Sequence, residues 1–212
     1  MKPLDDIPFA PRRLPFFYGW LILPLGIIGF LMSAPGQTYG VAPFTESLIE
    51  AVGLTRGQLS LAYMAGTIAS ALCLTAAGKL YDRFGARAIA PAASLLLGLT
   101  LVLLSRCDRI AAGIGRMTGL GTSALPGLAV LTLLFFLLRF SGQGVLTMVS
   151  RNMMMKWFDR HRGLVTGLCG MIIAPSFSAA PALLNALVHR AGWRGAGLIM
   201  AAVIGLGFTA VA

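Results

Sequence analysis

Residues 78–87 read Gly78-Lys79-Leu80-Tyr81-Asp82-Arg83-Phe84-Gly85-Ala86-Arg87, and this stretch decides how the rest of the chain is read. It is short, polar and cationic, yet long apolar runs flank it on both sides. Glycine at position 85 permits a tight turn between antiparallel helices, because a residue without a Cβ reaches backbone conformations closed to the others. Asp82 sits close in sequence to Arg83 and Arg87, so charge pairing is expected to latch neighbouring helix ends. Any short loop at a membrane face collects cations and a turn glycine; here several positions fit together.

Working outward, apolar stretches run over about 17–38, 59–80, 88–104, 125–149, 164–188 and 195–212. Each is long enough to cross about 30 Å of hydrocarbon as a helix. Helices are required because lipid offers no partners for the backbone, and no alternating β-barrel pattern is present. The 26 glycines fall largely inside these runs, where small residues let membrane helices approach closely. The expected architecture is an all-α membrane protein: a cytoplasmic N-terminal segment over 1–16, then a six-helix half-domain over 17–212.

Composition agrees. Of 212 residues, 57% are hydrophobic and 11% charged, against about 25% charged in a soluble domain; mean hydropathy is +0.83. A soluble enzyme, a disordered chain and a disulfide scaffold are excluded. The net charge of +10 does not signal nucleic acid, because the cations lie between apolar runs and not in a polar basic patch. Lys2, Arg12, Arg13, Lys79, Arg83, Arg87, Arg151, Lys156, Arg160 and Arg162 would share one face, and Arg56, Arg106, Arg109, Arg116, Arg190 and Arg194 the other. The larger set marks the cytoplasmic side and places the N-terminus there, in the plasma or inner membrane. The three arginines of the 106–116 loop dissent. Trp20, Trp157 and Trp193 fall near span ends, as interfacial anchors do. Cys73, Cys107 and Cys169 are scattered and odd in number, so neither a disulfide framework nor a metal site is expected, nor any cofactor.

The 78–87 stretch resembles the signature loop of the major facilitator superfamily, G-x-L-x-D-R-x-G-x-[RK], and falls between helices 2 and 3 as it does there. Tyr18-Gly19-Trp20 at the start of helix 1, Trp157-Phe158-Asp159-Arg160-His161-Arg162-Gly163 between helices 4 and 5, and Gly192-Trp193-Arg194 before helix 6 are similar to the monocarboxylate and oxalate/formate-porter branch. The resemblance implies a secondary transporter of two six-helix halves, each built as 3+3 inverted repeats. Its small-molecule substrate would lie near mid-membrane and be reached alternately from each side. It also implies a gating motif of Gly78, Asp82, Arg83, Gly85 and Arg87, in which Asp82 pairs with a helix end of the other half and holds the outward-open state.

Arg139 is the one ionisable residue deep in an apolar run, between Leu131–Leu138 and Val145–Val149. A charge at that depth is costly and is a functional hypothesis by default. Its fork can hold a carboxylate bidentately. It can equally bond carbonyls of a broken helix 1, which contains Pro24 and Pro35; both readings stand. The family's helix-4 pattern places Gln and Gly three and four residues after the arginine, whereas Gly142, Gln143 and Gly144 follow here, a shifted spacing. Gln143 lies one turn from Arg139 on the same face and could share either role.

Helix 1 carries Ser33-Ala34-Pro35-Gly36-Gln37-Thr38-Tyr39-Gly40. Unwound segments of this kind line midplane sites in transporters, which makes Gln37 and Tyr39 binding or coupling candidates; an ordinary kink is the alternative. Thr55-Arg56-Gly57-Gln58 reads as a capping box. Helix 5, Gly170-Met171-Ile172-Ile173-Ala174-Pro175-Ser176-Phe177-Ser178-Ala179, resembles in outline the antiporter pattern G-x-x-x-G-P-x-x-G-G, with Gly170 and Pro175 kept and small residues replacing three glycines. Met153–Met155 reads as flexible packing, and His161 and His189 as solvated.

No Asp or Glu lies at mid-membrane, so a buried cation without a buried anion favours an anionic substrate, with any proton or counter-substrate carried elsewhere. An exporter of drugs or amphipathic solutes is the alternative within the superfamily; a channel or structural membrane protein is the alternative outside it. A channel would show a charged ring or carbonyl filter, and neither is seen. An intramembrane serine protease would need G-x-S-G, which is absent around Ser141. The last apolar run carries no charge after Arg194. From this the expectation is a truncated chain lacking its C-terminal half, or a half-size protein that dimerises.

Overall fold

Gly85 joins two helices in one residue. Its φ of 77° and ψ of 176° end α4, Arg56–Phe84, and open α5, Ala86–Leu104; a side chain at that φ would be strained. The computed structural model describes residues 19–119, 123–158 and 162–210, and among these the structure is helical with no strand. Residues 1–16, Tyr18 and the loop residues Asp159, Arg160 and His161 lie outside the described residues.

The first span is a broken path, longer than the 17–38 run suggests. It consists of α1, Gly19–Met32; a tight turn at Ala34–Gly36; α2, Thr38–Val41; a second tight turn at Ala42–Phe44; and α3, Thr45–Val52. Pro35 and Pro43 occupy the two turns, where a missing N–H and a fixed φ interrupt the ladder. The capping box at the start of α4 is formed: the Gln58 N–H donates to Thr55 Oγ1 at 3.2 Å, and the Thr55 N–H to Gln58 Oε1 at 2.9 Å. The helix therefore begins at Arg56, three residues ahead of the apolar run.

The segment after α5, which reads as an outer loop, contains a helix of its own: α6, Cys107–Thr118. The fourth span is continuous from Leu125 to Trp157. It comprises α7, Leu125–Leu138, a widened π-helical segment, Arg139–Leu146, and α8, Thr147–Trp157. The last run, α9 (Arg162–Ala202) followed by a π-helical segment at Val203–Phe208, has 47 residues. Straight, it would measure about 70 Å. Gly192, at φ 70° and ψ 162°, divides it into two helices, 162–191 and 193–208.

Residue contacts fix the packing directions. Gly26 meets Met154, Gly29 meets Ser150, Gly36 meets Gly142 and Gly127 meets Val52, so the first and fourth spans run antiparallel. Gly66 meets Phe136, and Gly144 meets Leu74, so α4 and the fourth span run parallel. Gly197 meets Ser105, Gly98 meets Gly205, and Ser94 Oγ lies 2.7 Å from Thr209 Oγ1, so α5 and 193–210 run antiparallel. The buried core, centred on Leu97, Leu131, Phe135, Leu138 and Leu146, lies between these pairs. Large apolar side chains remain uncovered on α4 (Leu72, 77% exposed) and on 162–191 (Met171, Leu183). Among the described residues, four runs are long and apolar enough to cross a membrane: Arg56–Phe84, Ala86–Leu104, Leu125–Trp157 and Arg162–Phe208; Gly19–Met32 is a shorter apolar helix. The described residues are those of a multi-pass, helical membrane protein.

Candidate functional site

The break in the first span and the widened turn of the fourth face each other. Gly36 and Gly142 touch through their backbones, since a Cβ on either would stand 2.7–2.8 Å from the other's Cα. That closeness brings Arg139 to the broken segment. Its Nη1 donates to the Gly36 carbonyl and to Thr38 Oγ1, both at 3.3 Å. Its guanidinium also stands 5.3 Å from the centroid of the Tyr63 ring on α4. The Tyr63 hydroxyl donates to Thr38 Oγ1 at 3.0 Å. A turn, a π-helical segment and an aromatic ring from three elements thus hold one cation, which is 8% exposed.

The reading in which Arg139 bonds carbonyls of helix 1 therefore describes this conformation. It does not exhaust the side chain. Nε and Nη2 carry no hydrogen bond among the described residues, and neither belongs to the fully enclosed, unpartnered polar atoms. An arginine has five donors, so most of the fork remains to be satisfied. No Asp or Glu pairs with it among the described residues.

A second polar group lies beside the first. The Gln37 amide donates to Ser33 Oγ at 3.2 Å and reaches Thr147 Oγ1 at 3.5 Å. Ser33 Oγ donates to the Phe30 carbonyl at 2.6 Å, and Thr147 Oγ1 to the Gly142 carbonyl at 3.2 Å. Each hydroxyl adds a second hydrogen bond to a carbonyl that already accepts a backbone N–H, from Ser33 at Phe30 and from Thr147 at Gly142. Tyr39 leans on Phe177 of the 162–191 helix, with ring centroids 4.9 Å apart. Its hydroxyl is buried without a partner among the described residues. Gln143 does not share Arg139's partners: its side chain is exposed. Ser33, Thr38, Tyr63 and Thr147 complete the cluster and were not singled out from sequence. Ser33 and Thr38 belong to the 33–40 stretch, Tyr63 and Thr147 to apolar runs, and only tertiary packing shows that these hydroxyls converge.

The 78–87 loop behaves differently from the charge pairing expected of it. Asp82 is exposed and forms no ion pair or hydrogen bond among the described residues. Arg83 instead stands over the Phe84 ring at 5.2 Å. Arg83 is thus turned to the ring that follows it, and Arg87 lies beyond the turn at Gly85. Gly78 has open space where a Cβ would stand. On the 162–191 helix, Gly170 and Pro175 are exposed, and a Cβ on Gly170 would meet nothing within 4 Å. Close packing at these two positions is not made within the described residues.

Residues 25–212 match the family model described as Major Facilitator Superfamily. Over 144 residues, 67% of this chain, the sequence is 27% identical to the "Uncharacterized MFS-type transporter YhjX" of Escherichia coli (strain K12). The match covers 31% of that protein, so the chain spans about a third of this curated relative. No solved structure matches. A helical membrane chain with a polar break facing a buried arginine, matched by the family model over nearly its whole length, belongs to the Major Facilitator Superfamily.

Proposed function

We propose that this chain is the N-terminal half of a secondary transporter that moves a small organic anion, carboxylate-like in chemistry, by alternating access. The observation that carries the reading is the Arg139 fork. It is a permanent cation near the middle of the Leu125–Trp157 span, neutralised by no carboxylate among the described residues, with Nε and Nη2 still open. A buried cation without its anion is electrostatically incomplete. An anionic solute completes it, and a planar carboxylate does so through two parallel hydrogen bonds. Gln37 and Tyr39 stand on the broken segment beside it, and Gln143 one turn further along; they are the candidates for orienting the solute. The motif resemblances favour the monocarboxylate and oxalate/formate-porter branch.

The second half of the site comes from a C-terminal six-helix half or a second copy of this chain. The uncovered face of 162–191, including Gly170 and Pro175, and the unpaired Asp82 are its natural contacts. In this reading Asp82, with Gly78, Arg83, Gly85 and Arg87, gates the cytoplasmic side. The N-terminus is then cytoplasmic, in the plasma or inner membrane, and any coupling proton or counter-substrate is carried outside the Arg139 site. The test is counterflow with reconstituted full-length protein. Saturable exchange of mono- or dicarboxylates supports the reading; exchange of hydrophobic amines alone would assign an exporter of amphipathic solutes, and ohmic current would assign a channel.

A further inference from the structure

The charge pattern that contradicts a simple orientation rule is concentrated in α6. Cys107, Ala111 and Gly115, one turn apart, are buried, and α6 packs on α7 and α3. Its acid, Asp108, is taken: Oδ2 accepts from Arg194 Nη2 at 2.7 Å. Arg106, Arg109 and Arg116 are exposed and have no acidic partner among the described residues; Arg116 Nε reaches only the Ala112 carbonyl, at 3.3 Å. Arg109 and Arg116 are two turns apart on the side away from the buried stripe. Between them and that stripe runs an apolar flank with Ile114 40% and Met117 89% exposed.

The position of α6 is set by its neighbours. It begins three residues after α5 ends at Leu104 and precedes α7 at Leu125, so both flanking spans leave the hydrocarbon on its side. Its N-terminal turn is tied by Asp108 to Arg194, whose guanidinium stands 4.8 Å from the Trp193 ring, an aromatic residue of the kind that anchors span ends. Here Arg109, Arg116 and the apolar flank share one short helix at the membrane boundary, with Arg106 at its N-cap.

We propose that α6 lies in the headgroup layer and binds anionic phospholipid, with Arg106, Arg109 and Arg116 on the phosphates and Met117 and Ile114 against the upper acyl chains. A soluble anion would satisfy the arginines and leave Met117 in water. A lipid satisfies both at once, as it does for basic amphipathic helices that lie in the interface. The three arginines on the outer face are then lipid contacts, and they cease to oppose the orientation given by the remaining cations.

The test uses the full chain in nanodiscs of mixed phosphatidylcholine and phosphatidylglycerol, with the retained lipids weighed by native mass spectrometry. The wild type is expected to retain phosphatidylglycerol in preference. That preference should fall by about fivefold for each Arg→Gln change at 106, 109 and 116. The triple Arg→Lys variant, which keeps the charge, is expected to keep the preference, and this separates lipid binding from loss of fold. Equal retention by the triple Gln variant and the wild type would overturn the proposal. In a Cys73→Ser background, bimane on Met117→Cys should be quenched by headgroup-nitroxide lipids, more strongly in vesicles containing phosphatidylglycerol. Absence of quenching would overturn the proposal. So would shielding in both lipids with the protein eluting at twice its mass, which would assign the patch to a second copy of the chain.

Discussion

Gly36 and Gly142 touch backbone to backbone: a Cβ added to Gly36 would lie 2.7 Å from the Cα of Gly142, and one added to Gly142 would lie 2.8 Å from the Cα of Gly36. Everything at the candidate site depends on this contact. It lets the Ala34–Gly36 turn press against the Arg139–Leu146 segment, and it puts the Gly36 carbonyl within reach of Arg139 Nη1.

Gly36→Ala and Gly142→Ala should therefore each destabilise the protein by about 1–3 kcal/mol, the usual cost of overpacking. The measurement is the thermal midpoint in detergent. Gly167→Ala is the control with the opposite sign. No atom lies within 4 Å of its added Cβ, and alanine is the better helix former by about 1 kcal/mol.

Tyr63 carries separable contacts: its ring stands under Arg139 and edge-on to Phe135, and its hydroxyl bonds Thr38. Tyr63→Phe should retain most transport, losing about 1 kcal/mol for the hydrogen bond. Tyr63→Ala also removes the cation–π contact, worth about 0.5–2 kcal/mol, and should lower the initial uptake rate further. Equal rates for the two variants would remove the ring from the site.

Asp82→Asn tests the gate. If Asp82 pairs with the other half in the outward-open state, neutralising it shifts the population toward inward-open. Distance distributions between spin labels on the two faces of the full-length protein read this directly. An unchanged distribution together with an unchanged uptake rate would leave Asp82 as an ordinary loop charge.

Cys107 is fully buried, and that burial, with the Asp108 carboxylate adding to it, pushes its thiol up from 9.0 to about 11. A raised thiol pKa favours the neutral form in the folded state. The associated stability is present below pH 9 and is lost as the pH rises toward 11. Maleimide at pH 8 should leave Cys107 unmodified in the native protein and label it after denaturation, as peptide mass mapping would show.

The gross fold was legible because its signals are physical necessities. Long apolar runs must be helices in lipid, Gly85 must turn, and the Thr55–Gln58 capping box can form locally. Arg139 was legible for the same reason, since a charge in an apolar run needs a partner. What the sequence could not disclose was which partner. Gly36 and Arg139 are 103 positions apart, and the hydroxyls of Ser33, Thr38 and Thr147 carry no pattern until two helix breaks meet. Asp82 pairs with neither Arg83 nor Arg87 among the described residues, because Arg83 turns to the Phe84 ring and Arg87 lies beyond the turn at Gly85. α6 was missed because Gly113 and Gly115 interrupt its helical propensity, and tertiary contact with α3 and α7 supplies the missing stability.

The most direct test of the central claim is carboxylate uptake into proteoliposomes holding full-length protein with Arg139→Gln or Arg139→Lys. The Gln variant loses the cation, and the Lys variant keeps charge without the bidentate fork. The account predicts uptake reduced by at least about tenfold for Gln and by a smaller factor for Lys, with thermal midpoints near that of the wild type once substrate is absent. Organic-anion uptake at the wild-type rate by a folded Arg139→Gln protein would contradict it.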